Sequence, residues 1–392
     1  MKKKKLLLIL IALITTYLFL GNTINNDKYK FIKIYFPSEV KQTIKYYLFP
    51  NKYQKETSIK NDVLQNKIYE YFYNSNITFN LKKNEEYREI KSIILKNFIL
   101  DEDQVKISKL RDKKTFLKKY EILKNHNDYE IYQSKYYEIY HYAILDKSND
   151  NCSEKKLYIF SSGHGYNPIE SVEYLTLKSA MLGNCYDFLT LNMTGVGINQ
   201  TTHDQFDFPS KIPGANPVSH NEYFTYFDSQ HPEKKPMSLI LSGNYFLIKK
   251  ILSIKDYSDD VIMSGFSGGG WYATVLPSII TDIKKSYSIS GTLPLVYRSY
   301  LNNSGQDEEN INFEFLKNSN YIDLYYLSTL DDNFISKRTH VQIYGKNDVY
   351  FEARFAELFK KSFSLKNFKI VIDENSLGHK LNPNLLIQFL EN

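Results

Sequence analysis

Ser267 lies at the centre of Gly265-Phe266-Ser267-Gly268-Gly269, a pentapeptide that follows the apolar run 261–263 and precedes a segment of helical character. A serine held at a sharp strand-to-helix turn exposes its hydroxyl, and flanking glycines let the two elements pass closely. Such a hydroxyl is a nucleophile for acyl transfer once a base is near. Because the pattern alone arises by chance in roughly one chain in twenty, its surroundings must carry the assignment.

A serine nucleophile requires a general base, and we expect His379 to be that base. It lies in a loop between the last predicted strand, 368–372, and the final predicted helix, 384–390. A polar surface histidine near the C-terminus is the alternative interpretation. Three further histidines lie in one long connection and stay open as bases: His203, His220 and His231.

The base in turn requires a carboxylate that orients it. Asp348 follows the predicted strand 341–344 and therefore emerges at a carboxyl end, where we expect the acid of a triad. Asp331 and Asp332 compete, but they precede a strand in a polar segment. Asp348 could instead cap the helix that follows it. The predicted chain order is serine, aspartate, histidine.

A tetrahedral intermediate needs two backbone N–H donors directed at its oxyanion. Gly268, next to the nucleophile, is expected to supply one. The second is expected from the glycine-containing loop 162–166 after the predicted strand 157–161, at Tyr166 with Gly165 close behind. His164 in the same loop is interpreted as a hydrogen-bonding residue rather than a second base.

These residues must be positioned by the elements around them, and those elements alternate. The segments 129–132 and 136–145 predict a β-hairpin, and strands then alternate with helices to the end of the chain. Such alternation predicts an α/β fold: a mainly parallel sheet covered by helices on both faces. The predicted strands are 157–161, 188–192, 261–263, 287–289, 341–344 and 368–372, and the predicted helices are 169–182, 238–254, 351–363, 384–390 and one that begins at Gly269.

Residues 135–392 resemble the α/β-hydrolase superfamily in their serine elbow, their His-Gly loop and the order of Ser267, Asp348 and His379. The resemblance implies a central twisted, mainly parallel sheet, a catalytic triad, no cofactor and a substrate with an ester, amide or related acyl bond. The segments 192–197, 268–271 and 290–294 are similar to a bacterial branch of that superfamily. Pro277 departs from the pattern and should kink or shorten the helix after the nucleophile.

The chain of 392 residues divides into three parts. Residues 1–24 hold four lysines and an apolar stretch, which predicts a signal peptide or a single membrane anchor and export of the remainder. Residues 25–127 are rich in Lys, Tyr and Asn and are expected to form a small, mainly helical N-terminal region, for instance at 85–98. Residues 128–392 are the expected hydrolase domain. Outside the lysine cluster the net charge falls from +6 to +2, so no nucleic-acid partner is expected.

Two insertions, near 195–235 and 300–332, are expected to act as caps over the pocket. Protein partners and the oligomeric state are left open. No metal cluster or phosphate cradle is predicted. Five side chains are candidates for substrate contacts: His164, Asn199, His203, His220 and Trp271.

The two cysteines, Cys152 and Cys185, each precede a predicted strand. Neighbouring parallel strands would bring the two thiols together, and a disulfide would fit an oxidising compartment. Unpaired thiols are the equal alternative.

These observations favour an exported or membrane-anchored serine hydrolase that cleaves a carboxylic ester, for example an acyl group on a surface glycan or lipid. A serine peptidase or an acyltransferase would use the same triad. A non-catalytic scaffold of the cell envelope that retains the fold is the alternative from another class.

Overall fold

The computed structural model describes residues 79, 81–111, 128–136, 139–149, 151–164, 171–199, 235–257, 260–298, 308–348, 350–376 and 378–391. These residues belong to one compact unit, Ile68–Asn392. The predicted targeting segment 1–24 and most of region 25–127 lie outside the described residues. Most of the insertion 195–235 and the start of the insertion 300–332 lie outside them as well.

A nine-stranded sheet forms the centre of this unit, with the strands in the order β1-β2-β3-β5-β4-β6-β7-β8-β9. From β4 onward neighbouring strands are parallel, whereas β1, β2 and β3 pair antiparallel and β3 joins β5 antiparallel. The strands are β1 Lys106–Lys109, β2 Tyr129–Tyr136, β3 Ile139–Asp146, β4 Lys156–Ser161, β5 Tyr186–Leu191, β6 Val261–Phe266, β7 Lys285–Ile289, β8 Thr339–Gly345 and β9 Phe368–Asp373.

Helices cover both faces of this sheet. Two of them, α2 and α10, pack with the apolar side chains of one face, and α3 and α4 pack on the other. The helices are α1 Asn84–Phe98, α2 Val172–Gly183, α3 Pro236–Ile254, α4 Gly268–Ile279, α5 Leu295–Arg298, α6 Glu308–Ile311, α7 Phe313–Leu316, α8 Tyr321–Leu327, α9 Ala353–Ser362 and α10 Pro383–Glu391. The predicted α/β-hydrolase fold, a mainly parallel sheet with helices on both faces, is confirmed.

The strand order places the predicted chemistry at one edge of the sheet. After β4 the chain adds β5 on one side and then returns to add β6 on the other side of β4. In open parallel sheets, ligands bind outside the carboxyl ends of the strands at such a reversal. Ser162 and Gly163 follow β4, and Ser267 follows β6, so both segments lie at this point.

Helix α1 and strand β1 belong to the same unit as the sheet. The buried side chains of α1 recur at helical spacing, Tyr87, Ile90, Ile94 and Phe98, and they join the larger core cluster. Each such burial stabilises the fold by about 1.5–3 kcal/mol. The sequence placed both elements in a separate region ending at residue 127. Their packing instead makes them part of the same compact unit as the sheet, with β1 as the edge strand beside β2.

Helix α4 contains Pro277 and ends two residues later, at Ile279. The guanidinium of Arg338, almost fully buried, donates hydrogen bonds to the carbonyls of Pro277, Ile280 and Ile283 at 2.8, 3.3 and 3.1 Å. The bond to Pro277 satisfies a carbonyl group in the last turn of the helix, where carbonyls lack helical partners, and the other two tie down the segment that follows. Arg338 thereby holds the carboxyl end of the helix that follows the serine elbow.

Of the residues that the structure describes, one helix, α3, is long and apolar enough to cross a membrane. Its most apolar window is 67% buried within the protein. Leu239, Leu247 and Ile251 of this helix belong to the core. Packing against the sheet therefore accounts for its apolar composition.

Cys152 and Cys185 form a disulfide, with their Cα atoms 5.7 Å apart. Cys185 directly precedes β5 and Cys152 lies shortly before β4, and these two strands are parallel neighbours. The backbone of Lys156 also donates a hydrogen bond to the carbonyl of Cys185 at 3.2 Å. The structure therefore decides between the two alternatives left open by the sequence in favour of the bonded form.

Candidate active site

Ser267 occupies the turn between β6 and α4 in a strained backbone conformation. Its φ of 58° and ψ of −124° lie in a region that residues with a side chain rarely adopt. The turn is tight because β6 and α4 pass in contact: a Cβ atom on Gly265 would lie 1.9 Å from the carbonyl oxygen of Gly269. The Ser267 N–H is bonded to the Ile289 carbonyl at 2.9 Å, which ties the turn to β7.

Asp348 lies just beyond β8, at the carboxyl end of the sheet. One carboxylate oxygen, Oδ1, accepts the backbone N–H groups of Tyr350 and Phe351 at 2.8 and 3.1 Å. The side chain is fully buried. Helix α9 has Glu352 at its N-cap, so Asp348 organises the loop rather than capping that helix.

His379 meets the other oxygen of this carboxylate. Its Nδ1 lies 2.8 Å from Oδ2 of Asp348. Because an ionised carboxylate only accepts hydrogen bonds, Nδ1 carries the proton in this arrangement. The ring packs against Phe266, with ring centroids 4.7 Å apart, and against Tyr350, with centroids 5.0 Å apart. Phe266 directly precedes Ser267, so the imidazole lies beside the serine elbow.

The surroundings of Asp348 keep its carboxyl ionised. Burial, the largest single influence, would raise its pKa, but the hydrogen bond and charge of His379 together with further hydrogen bonds lower the pKa below its ordinary value. The Ser290 hydroxyl and the Tyr350 N–H act in the same direction. An ionised, buried carboxylate can hold the imidazole in one tautomer and stabilise it when it becomes charged.

The loop after β4 lies directly against the serine. A Cβ atom on Gly163 would lie 2.6 Å from the Cβ of Ser267 and 3.2 Å from its Oγ. A side-chain network that sequence reasoning missed supports this loop: Asn192, which follows β5, donates to the Ser162 hydroxyl at 3.0 Å, and Asn244 of α3 donates to the Asn192 carbonyl at 3.0 Å. The only sequence signal was the position of Asn192 at the end of a predicted strand.

Gly268 lies beneath two side chains from neighbouring loops. A Cβ atom on Gly268 would lie 2.2 Å from the Met193 sulfur and 2.7 and 2.8 Å from Cε1 and Nδ1 of His164. His164 is therefore next to the first expected oxyanion donor. Its Nε2 lies 3.4 Å from Oε1 of Glu309, a carboxylate with a fully buried side chain. Sequence reasoning gave no role to Glu309, because it lies in an insertion without a motif.

Of the remaining candidates, the structure describes Asn199 and Trp271 but not the others. Asn199 is buried and donates to the carbonyls of Asn192 and Met193 at 2.8 and 3.2 Å, so it supports the turn after β5. Trp271 is fully buried and packs on Tyr272, which makes it a core residue of α4. Five candidate residues from the sequence lie outside the described residues: Gly165, Tyr166, His203, His220 and His231.

Within the described ranges, no group of three or more His, Cys, Asp or Glu side chains could hold a metal ion. At the carboxyl edge of the sheet, the His379 imidazole is bonded to the Asp348 carboxylate and packs on Phe266, the residue directly before Ser267. Together with backbone N–H groups at the start of α4, this arrangement can carry out nucleophilic acyl transfer.

Neither a protein-family model nor a curated protein matches this sequence. Among solved structures, Est1E from Butyrivibrio proteoclasticus is 16% identical over 64% of this chain and 92% of its own, with a TM-score of 0.42. Acetyl xylan esterase 1 from Thermoanaerobacterium sp. JW/SL YS485 is 14% identical over 83% of this chain and 97% of its own, with a TM-score of 0.47.

The acylaminoacyl peptidase of Pyrococcus horikoshii is 16% identical over 71% of this chain and 43% of its own, with a TM-score of 0.44. At these identities and TM-scores the likeness decides neither the reaction nor the substrate of this chain. Both must be argued from the geometry around Ser267.

Proposed function

From the α/β-hydrolase fold of this chain and the arrangement at the carboxyl edge of its sheet, we propose that the protein is a serine hydrolase that cleaves a carboxylic ester. One observation carries the proposal: the His379 imidazole is bonded to buried Asp348 and packs on Phe266, next to the strained turn at Ser267. Backbone strain of this kind persists where the surrounding structure enforces it, commonly at a functional site.

In the proposed reaction, the Ser267 oxygen attacks the ester carbonyl carbon while Nε2 of His379 takes the hydroxyl proton. The carbonyl π electrons move onto oxygen, and the N–H of Gly268 donates a hydrogen bond to that oxyanion. The intermediate collapses and expels the alcohol, which receives the proton from His379. Water then attacks the acyl-enzyme by the same route, releases the acid and restores the serine.

Asp348 has an electrostatic role in this sequence. Each attack makes the imidazole of His379 positively charged, and the ionised carboxylate 2.8 Å away stabilises that charge. The low pKa of Asp348 means that the proton stays on the imidazole rather than moving to the carboxylate. The two N–H groups on Oδ1 keep the carboxylate in place throughout.

The proposal extends to the compartment and the substrate class. The lysine cluster and apolar stretch at 1–24 predict export, and the Cys152–Cys185 disulfide supports an oxidising location outside the cytoplasm. We propose that the catalytic unit acts there, either anchored or released. An acyl group on a surface glycan or lipid would then be an accessible ester.

A fluorophosphonate probe tests the assignment of the nucleophile, because it phosphonylates activated serines. We expect mass spectrometry of the labelled protein to place one adduct on Ser267, and Ser267→Ala to remove it. Ser253→Ala is the matched control, since that hydroxyl on α3 bonds the Lys250 carbonyl at an exposed position. A correctly folded wild-type protein without an adduct on Ser267 would overturn the proposal.

Ester and amide hydrolysis distinguish the proposed reaction from peptidase activity. We expect turnover of p-nitrophenyl acetate by the wild type and none by Ser267→Ala, with p-nitroanilides of matching acyl groups turned over far more slowly. Preferential cleavage of the anilides, with the same adduct on Ser267, would make the protein a peptidase instead.

A further inference from the structure

The insertion after β7 places a buried carboxylate beside the catalytic centre. Glu309 belongs to α6, and its side chain is fully buried. An isolated ionised carboxylate in such a position is costly, so it is normally paired with a cation or several donors. The partners of Glu309 include the imidazole of His164 at 3.4 Å and the amide of Asn310 at 3.3 Å.

His164 has two edges, and they face different groups. Its Nε2 faces Glu309, while Cε1 and Nδ1 lie against Gly268, the first residue after the nucleophile. A carboxylate accepts a proton but cannot donate one, so it favours a protonated Nε2 and stabilises the charged imidazolium. In the imidazolium both ring nitrogens are donors. The edge beside Gly268 then presents an N–H at the side of the site where the oxyanion forms.

We propose that Nδ1 of His164 donates an additional hydrogen bond to the oxyanion and that Glu309 is the positioning residue that holds the ring for this role. The inference rests on the proposed function, since it concerns the same intermediate on Ser267. It gives the insertion that begins after β7 a catalytic purpose: this insertion supplies the carboxylate that orients the oxyanion side of the site.

The step conserves protons. When the carbonyl oxygen becomes negatively charged, the Nδ1–H of His164 hydrogen-bonds to it without transferring its proton. When the intermediate collapses, the oxygen becomes a carbonyl again and the imidazolium is unchanged. His379 remains the group that takes and returns the serine proton.

Variants at both positions test the pair in the full-length protein, with p-nitrophenyl acetate as the probe. We expect Glu309→Gln to lower kcat on the order of 10- to 100-fold with little change in KM. The reason is that the hydrogen bond from His164 to the oxyanion, which Glu309 supports, forms only in the transition state. We expect His164→Ala to lower kcat on the order of 10²-fold, as for the loss of one oxyanion donor. Glu314→Gln is the control, since Glu314 is exposed in the same insertion and pairs with Lys317.

His164→Asn provides the readout that a merely structural role would not change. The asparagine amide places a nitrogen donor near the position of Nδ1 but has no group in the position of Nε2. We therefore expect this variant to retain more activity than His164→Ala. Adding Glu309→Gln to it should lower kcat no further, because Glu309 would no longer act through the imidazole.

Two outcomes would overturn the inference. One is a Glu309→Gln variant with the kcat of the wild type, and the other is a Glu309→Gln effect of equal size in the wild-type and His164→Asn backgrounds. Both outcomes require an active wild type that labels on Ser267. Failure of the proposed function is distinct, since it would appear as a wild type with neither an adduct nor ester turnover.

Discussion

Gly163 packs its Cα atom directly against the side chain of Ser267. A Cβ atom at position 163 would lie 2.6 Å from the Cβ of Ser267 and 2.9 Å from the carbonyl oxygen of Phe266. Atoms of this kind do not approach below about 3.0 Å without displacement of one element. The ends of β4 and β6 therefore approach this closely only because residue 163 has no side chain.

Gly163→Ala is expected to displace the loop after β4 or the Ser267 side chain by a fraction of an ångström to an ångström. Misplacement on this scale costs on the order of 10²-fold in rate. We expect kcat/KM for p-nitrophenyl acetate to fall by that factor, with a far-ultraviolet circular dichroism spectrum like that of the wild type. Gly183→Ala is the control, because no atom lies within 4 Å of the added Cβ. Equal activity of both variants would contradict the packing argument.

Asp348→Asn is expected to reverse the tautomer of His379. The amide can present its NH₂ group to Nδ1, so the ring would carry its proton on Nε2 and could not accept one from Ser267. We expect kcat to fall on the order of 10⁴-fold while the protein still folds. The measurement is steady-state ester hydrolysis. Asp332→Asn removes a competing carboxylate whose side chain is 78% exposed, and it should leave kcat unchanged.

Removal of the disulfide is expected to destabilise the protein. The bond closes a loop with a sequence separation of 33 residues. The chain-entropy relation predicts a loss of about 4 kcal/mol in the free energy of unfolding. Urea denaturation of the double variant Cys152→Ser/Cys185→Ser should show this loss, and reduced wild type should behave in the same way. An unchanged urea midpoint would contradict the prediction.

Acid is expected to destabilise the fold through two buried histidines. Burial lowers the pKa of His141 and, together with the charge of Arg338, the pKa of His340, each to about 3. His340 is held neutral, since Nε2 must accept from the Gln342 amide at 2.8 Å and Nδ1 then donates to the Ser286 hydroxyl at 2.6 Å. Both histidines become protonated near pH 6.5 once the chain unfolds.

The direction of this pH dependence of stability follows from proton binding. Below pH 6.5 the unfolded state binds more protons, so the stabilisation present above that pH is lost as the pH falls towards 3. Between these pH values, each histidine should lower the free energy of unfolding by about 1.4 kcal/mol per pH unit as the pH falls. Urea denaturation between pH 7 and pH 4 should give a shallower slope for His340→Gln. Ser286→Ala alters the same contact without removing the titrating group and should keep the wild-type slope.

Local sequence patterns were sufficient for most of the elements around the site. Apolar runs predicted strands β4 to β9 within a few residues, and the helical spacing of Tyr87, Ile90, Ile94 and Phe98 matches α1 as observed. These patterns predict helices and strands because burial of one face of a helix, or of a whole strand, constrains the residue types within that segment alone. The roles of Ser267, Asp348 and His379 remain predictions that the labelling and turnover experiments test.

Contacts between segments that are distant in the chain could not be predicted from local sequence patterns. The four residues of β1 are nearly all exposed, so no apolar pattern marks the strand, and only pairing with β2 makes it part of the sheet. Glu309 resembles any surface glutamate in the sequence, because its burial depends on where α6 packs. The link from Asn192 to Ser162 spans 30 residues and follows from the adjacency of β4 and β5.

The sequence by itself determined the serine elbow, the alternation of strands and helices, and the order in which a serine, an aspartate and a histidine follow strands. These properties depend on residues that are close in the chain. Only the tertiary structure decided that His379 meets Asp348 at 2.8 Å, that Cys152 is bonded to Cys185, and that Glu309 reaches His164. Each of these depends on the order of strands in the sheet and on how loops pack above it, which no local pattern specifies.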